Sequence, residues 1–358
     1  MEKAEAANRL KRYLNRVARA IAGLLFLLFL PHGCSDRGPQ PGSQTGARVN
    51  RRTPGGPPTQ ILAVYEAWFG HPSHISVASV GYSSHDPVVL HKQIRKAKAV
   101  GISGFVMDWY GYREPFIDRS YALMQAAAGK EKFHVAMMYD ETDDEGGATD
   151  EAIEDFKLFE KSYLSADAPG RQAYLTYNGR PVIFIFPKTG HTDWNRVRAE
   201  VNKWTTPPWL IDEYPPGTYA AAIDGYYAWV SPGEKGWTAD GSNWGEQYLD
   251  EFYGTMESKY PEKIAVGGVW ASFDDSKASW SLNRHMSARD GQTLADTCRL
   301  FRQYSPANNP LPFLFVETWN DYEEGTAIEQ RIPPGAHAYP CANPGSTAAV
   351  DSVKTAMN

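Results

Sequence analysis

The chain alternates eight short apolar runs rich in β-formers with stretches of helical periodicity, over residues 61–316. No other feature constrains the fold as tightly. Continuous apolar runs read as strands buried on both faces, and a helix between successive strands forces them to pair in parallel. The runs are 61–65, 102–109, 133–139, 181–186, 209–211, 223–229, 264–271 and 313–316. Helical patterns cover 88–100, 119–128, 150–163, 194–204, 244–260 and 293–304, and the weak fifth run leads into a proline-rich loop instead. Eight strand–helix units over about 270 residues predict an α/β protein with a single (β/α)8 barrel. An open doubly wound sheet would show fewer strands and a glycine-rich phosphate loop after the first, and no such loop is present.

In such a barrel the chemistry sits at the C-terminal ends of the strands. Polar and aromatic residues gather there: Glu66 and Trp68 after the first run, Asp108 and Tyr110 after the second, Asp140 and Glu141 after the third. Glu213 and Tyr214 follow the fifth, Trp229 the sixth, and Asp274 and Asp275 the seventh. The eighth run empties into Glu317-Thr318-Trp319-Asn320-Asp321-Tyr322-Glu323-Glu324-Gly325. Crowded carboxylates are pushed to different pKa values, as acid–base chemistry on sugars requires. Carboxylates also accept hydrogen bonds from hydroxyls, and aromatic faces stack on sugar C–H surfaces. The chain is 13% aromatic, with 11 Trp and 20 Tyr, and most of these rings are expected in the core. The expected substrate-binding set is Tyr65, Glu66, Trp68, Asp108, Tyr110, Tyr139, Asp140, Trp229, Trp270, Glu317, Trp319 and Asn320.

Other chemistries find less support. No Gly-x-Ser-x-Gly elbow is present, and His71-Pro72-Ser73-His74 lacks companion ligands, so neither nucleophilic-serine chemistry nor a metal or other cofactor is expected. The acid run Asp140, Glu141, Asp143, Asp144 and Glu145 lacks the spacing of a calcium loop and reads as a solvated face. Arg284, Arg289, Asp290 and Gly291 read equally as cleft residues or as the start of a surface helix.

The acid-rich segment resembles glycoside hydrolase families 71 (endo-α-1,3-glucanases) and 99 (endo-α-mannosidases). The family 71 likeness lies in Trp319-Asn320-Asp321-Tyr322 with Glu324 following, and the family 99 likeness in Asn320 through Gly325, Thr326, Ile328 and Glu329. Residues 64–69, Gly101-Ile102-Ser103-Gly104-Phe105 through Asp108-Trp109-Tyr110, and Asn178-Gly179-Arg180-Pro181-Val182 are similar too. The resemblance implies hydrolysis of α-linked glycans, of α-mannan or α-glucan type, by an endo-acting enzyme. It implies Asp321 and Glu324 as the catalytic pair, with Glu324 the general acid. Asp321 would activate water with inversion, as in family 71, or assist the sugar 2-hydroxyl with retention, as in family 99. Glu323 stands where family 99 has His, so a carbohydrate-binding barrel without catalysis is the alternative.

The N-terminus reads as an export signal. Arg9, Lys11, Arg12, Arg16 and Arg19 precede the apolar run 21–30, which is too short to span a bilayer. Leu30-Pro31-His32-Gly33-Cys34 resembles a bacterial lipoprotein cleavage box. The expected organisation is a signal peptide over 1–34, a disordered linker over 35–58, the barrel over 59–330 and a loose tail over 331–358. The expected location is a membrane-anchored lipoprotein at the periplasmic face or cell surface, with lipid on Cys34, or a secreted protein. If Cys34 is lipidated, Cys298 and Cys341 are left either as a disulfide or as two separate thiols. Residues 1–33 carry six Lys/Arg against two Asp/Glu, so the rest is more acidic than the overall −6. An acidic body excludes nucleic acid and leaves a neutral poly- or oligosaccharide as the expected partner of a monomer.

Overall fold

A computed structural model describes residues 58–72, 80–141, 146–188, 190–231, 242–278, 281–332 and Cys341. The expected signal peptide, Cys34, the linker, His74, Asp143, Asp144 and Glu145 lie outside these residues, as does all of 333–358 except Cys341.

The eight barrel strands are β1 (Gln60–Tyr65), β2 (Gly104–Trp109), β3 (His134–Asp140), β4 (Arg180–Phe186), β5 (Trp209–Glu213), β6 (Gly225–Tyr227), β7 (Ile264–Val269) and β8 (Phe313–Val316). Each pairs in parallel with the next, and β8 closes on β1 with Gln60 opposite Phe313 and Ala63 opposite Val316. The barrel is therefore closed, as the run-and-helix alternation predicts. Among the described residues six α-helices clothe it: α1 (Pro87–Ala99), α2 (Pro115–Glu131), α3 (Ala148–Phe159), α4 (Trp194–Val201), α5 (Glu246–Ser258) and α6 (Gln292–Tyr304).

Helix starts follow local chemistry. Asp86 caps α1 by accepting the Val88 N–H at 2.8 Å, with Pro87 at the first helical position. Asp193 caps α4 in the same way through the Asn195 N–H. After β5 the proline-rich stretch forms one 3-10 turn, Ala220–Ala222, where other units carry an α-helix. The third helical run reaches its expected end, its last turn widening from α3 into a π-helix (Glu160–Leu164).

Inside the barrel, Phe184 of β4, Tyr227 of β6 and Phe315 of β8 meet, with Phe315 ring centroids 4.7 Å from Phe184 and 5.2 Å from Tyr227. The Tyr227 hydroxyl donates to the Ile185 carbonyl at 2.8 Å. This aromatic plug fills the barrel and forms the floor on which the strand-end residues stand. Outside, Tyr121, Phe159 and Tyr163 pack together against the strands, so many rings are core, as expected.

Cys298 in α6 is bridged to Cys341, with their Cα atoms 5.1 Å apart. Of the two readings open for these cysteines, the disulfide is the one the structure holds. Arg331 is also tied in, donating to Ser272 Oγ at 2.8 Å. Arg331 and Cys341 are thus each fastened to the barrel, by a guanidinium contact and by a covalent bridge.

Candidate active site

Strand parity decides which residues reach the barrel mouth. Side chains alternate faces along a strand. Phe315 points to the axis, so Glu317, two residues on, continues the same face above it. By register the inward face of β1 ends in Glu66, that of β2 in Asp108, that of β3 in Asp140 and that of β5 in Glu213. Five strands therefore each present a carboxylate at one end of the barrel. Gly268 of β7 makes room for this: a Cβ there would sit 2.6 Å from Glu317 Oε1 and 3.1 Å from Ala228 Cβ.

The acid-rich loop after β8 is braced onto β1. The Trp319 N–H donates to the Val64 carbonyl at 2.7 Å. The Asn320 amide spans the Glu66 backbone, accepting its N–H at 2.8 Å and donating to its carbonyl at 3.0 Å. The next residue, Asp321, is held by the Thr318 hydroxyl, which accepts its N–H at 2.8 Å. Asp321 Oδ1 in turn accepts the N–H groups of Glu323 and Glu324, each at 2.9 Å. This turn fixes Asp321 and Glu324 in one frame, with the Glu317–Thr318 peptide cis just before it.

Burial dominates the electrostatics. It pushes the Asp321 carboxyl up to about 7; the two backbone N–H groups oppose this and the Glu323 charge adds to it. Asp108 rises to about 8, through burial and then the charge of Asp140, while Lys188 opposes. Glu66 is held well above the carboxylate range by burial and by Asp108, Asp321 and Glu324. Glu317 is raised likewise by burial, with Glu213 and Glu324 adding and the Val230 N–H opposing. The Glu324 charge acts on both Glu66 and Glu317. Glu66 and the Tyr110 hydroxyl hydrogen-bond to Asp108. Glu66 Oε2, Asp108 Oδ1 and Glu317 Oε1 are buried and have no hydrogen-bond partner among the described residues, so these acceptors remain available to a ligand's hydroxyls. No three His, Cys, Asp or Glu side chains among the described residues are arranged to hold a metal ion.

The structure brings together Glu66, Asp108, Tyr110, Asp140, Glu317, Asp321 and Glu324. Trp229 joins them as a wall, its ring 5.4 Å from that of Phe186 at the inward end of β4. Trp68 is buried beside Phe69 just after β1. Four other expected binding residues have partners away from this group. Tyr65 faces α1, where its hydroxyl donates to Gln93 Oε1 at 2.6 Å. Tyr139 faces α3 and donates to Asp155 Oδ2 at 3.1 Å. Both have the opposite parity to the acid that follows them. Trp270 is buried, its Nε1 donating to the Trp244 carbonyl at 3.0 Å. Trp319 is buried against Phe105, with ring centroids 5.2 Å apart. Asn320 lies beside the acids, engaged with the Glu66 backbone.

The acid run also departs from expectation at its start. Asp140 and Glu141 are buried, not solvated. Glu141 accepts Trp194 Nε1 at 2.8 Å and the Lys188 N–H at 2.9 Å, which satisfies it away from water. Lys188 is a site residue absent from the sequence reading. It pairs with Asp140 and lies 4.9 Å from the centre of the Tyr110 ring. A lone cation two residues past a strand end, opposite so many acids, was its only trace in the sequence.

A sequence model for glycosyl hydrolase family 71 matches residues 74–332, most of the barrel and all of the acid-rich loop. The chain belongs to glycosyl hydrolase family 71. No curated protein matches this glycoside hydrolase in sequence. Among solved structures, two of a GH99 endo-α-mannosidase from Bacteroides thetaiotaomicron are similar. One, in complex with bis-tris-propane, has 18% identity and a TM-score of 0.58; the other has 16% and 0.59. Each comparison covers 83% of this chain and 95% of that one. A glycoside hydrolase-like protein matches at 15% identity and a TM-score of 0.53, over 87% of this chain and 97% of the other. At such identities these likenesses concern the fold.

Proposed function

We propose that this family 71 enzyme is an exported, endo-acting hydrolase of α-linked glycans, of α-mannan or α-glucan type, with Asp321 and Glu324 as its reacting pair. One observation carries the assignment: Asp321, buried at the barrel mouth, accepts the Glu324 N–H and so holds the two residues in one turn. The α-mannosidase named among the similar structures supports the substrate class. Glu324, half-buried, donates its proton to the departing glycosidic oxygen. Asp321, with its pKa raised to about 7, is a stronger base than an exposed aspartate and takes the proton from the incoming water or from the sugar 2-hydroxyl. Glu66, Asp108 and Glu317 accept hydroxyl hydrogen bonds from the bound sugar, and Trp229 offers it a ring face.

Export is supported by the Cys298–Cys341 disulfide, a bond of oxidising compartments, and by the basic-then-apolar N-terminus. If Cys34 carries lipid, Cys34→Ala moves the protein from the membrane fraction to the soluble one.

The test is product analysis on a panel of α-glucans and α-mannans, with anomeric NMR to read stereochemistry. Asp321→Asn and Glu324→Gln are each expected to lower kcat at least about a hundredfold while leaving the fold intact. In the wild type, activity should rise with pH through about 7 as Asp321 ionises. Full activity in either variant refutes the pair.

A further inference from the structure

We propose that the hairpin after β7, formed by residues 273–278 and 281–286, is a positioning element for Glu324, setting its carboxyl against the departing glycosidic oxygen. The inference rests on the reading of Glu324 as proton donor given above.

Glu324 is gripped from both sides of its backbone. Its N–H donates to Asp321 Oδ1 at 2.9 Å, and its carbonyl accepts the Asp274 N–H at 2.7 Å. The first contact belongs to the catalytic loop itself, and the second comes from the hairpin. Gly325 marks how closely the two segments meet. Its φ is +64°, and a Cβ there would lie 3.0 Å from Asp274 N and 3.1 Å from Asp274 Cβ. Ser272 Oγ, just before the hairpin, donates to the Gly325 carbonyl at 2.7 Å, and Arg331 bridges the same pair.

The hairpin carries its own internal brace. Phe273 pairs with Met286 and Asp274 with His285 in a short antiparallel ladder. Asp275 is fully buried, and its carboxylate accepts Arg284 Nε and Arg284 N–H at 2.8 Å and Ser281 Oγ at 2.9 Å. Its own N–H donates to the Arg284 carbonyl at 3.2 Å. The Arg284 guanidinium lies 5.1 Å from the centre of the Phe273 ring. All of these partners lie within the hairpin. The brace therefore sets the hairpin's own shape, and that shape delivers Asp274 to Glu324. A proton donor displaced by about 1 Å from its acceptor loses up to a hundredfold in rate, so a rigid backbone partner matters here.

The test separates proton donation from everything else by the leaving group. Fluoride departs without a proton, whereas a glycosidic oxygen needs one. Arg284→Ala and Gly325→Ala are assayed on an α-glycan panel and on α-glycosyl fluorides of a glucose and a mannose disaccharide, with Glu324→Gln as reference. Arg284→Ala in the hairpin and Gly325→Ala at its contact with the loop are both expected to lose about tenfold or more in kcat on glycan, with KM changed less than about twofold and fluoride turnover largely kept. Arg284→Lys, which keeps the cation, should recover part of the loss. A parallel loss on both substrates, or no loss on either, overturns the inference. Gly325→Ala keeps the test decisive should Arg284→Ala fail to fold. If Glu324→Gln fails to spare the fluorides when products are inverted, or is not rescued by azide on the fluorides when products are retained, the donor assignment falls. If it spares them and the two other variants do not, only the hairpin role falls.

Discussion

Asp108→Asn offers a direct reading of the buried acid ring. Asp108 ends the inward face of β2, and burial together with Asp140 lifts it from an ordinary 3.8 to about 8 against the pull of Lys188. In the unfolded chain this carboxyl ionises near its ordinary value. Between about pH 4 and pH 8 the folded state thus holds a proton that the unfolded state has lost. Stability must then fall as pH rises across that window, by about 1.4 kcal/mol per unit for this one group. From pH 5 to pH 7 its share is about 3 kcal/mol. An amide has the same shape and does not titrate. Urea unfolding at pH 5, 6 and 7 should give a wild-type stability that declines with pH and a variant slope shallower by about 1.4 kcal/mol per unit. Glu66, Glu317 and Asp321 are raised in the same sense, so the variant keeps part of the decline. Parallel slopes for the two proteins would refute the account of a protonated Asp108 at neutral pH.

Two further outcomes follow from separate contacts. The Cys298–Cys341 bridge spans 43 residues, for which chain entropy predicts about 4 kcal/mol of stabilisation. Replacing both cysteines with serine should lower the urea midpoint accordingly, and an unchanged midpoint would contradict the bridge. Asn320→Ala removes both side-chain hydrogen bonds to the Glu66 backbone and strands that N–H and carbonyl, at a cost of about 2 kcal/mol or more. Because the brace also seats Asp321, kcat should fall further than the loss of folded protein explains, as measured by activity per folded molecule.

The barrel was legible because its rule is repetitive. Eight apolar runs with helices between them admit few closed parallel arrangements, and observed strand bounds differ from the expected ones by a residue or two at most ends. The sixth strand is shorter, Gly225–Tyr227, although Tyr227 still sits in the aromatic plug. The concentration of acids at strand ends was equally visible, since ionisable groups interrupt apolar runs only where the run stops.

What the sequence could not convey was direction. Tyr65 and Glu66, or Tyr139 and Asp140, are neighbours in the chain and both polar-tipped, yet one of each pair faces the helices and the other the barrel mouth. A strand buried on both faces has no polar side to reveal which parity points inward. Closure of the barrel decides it, by aligning Phe184, Tyr227 and Phe315 on the axis and carrying Glu66, Asp108, Asp140, Glu213 and Glu317 above them. The same is true of contacts far apart in sequence, such as Lys188 with Asp140, Asn320 with Glu66, and Asp274 with Glu324. The sequence by itself determined the barrel and the end at which its acids gather. Only the tertiary structure decided which acids face one another, because that depends on register around a closed sheet rather than on order along the chain.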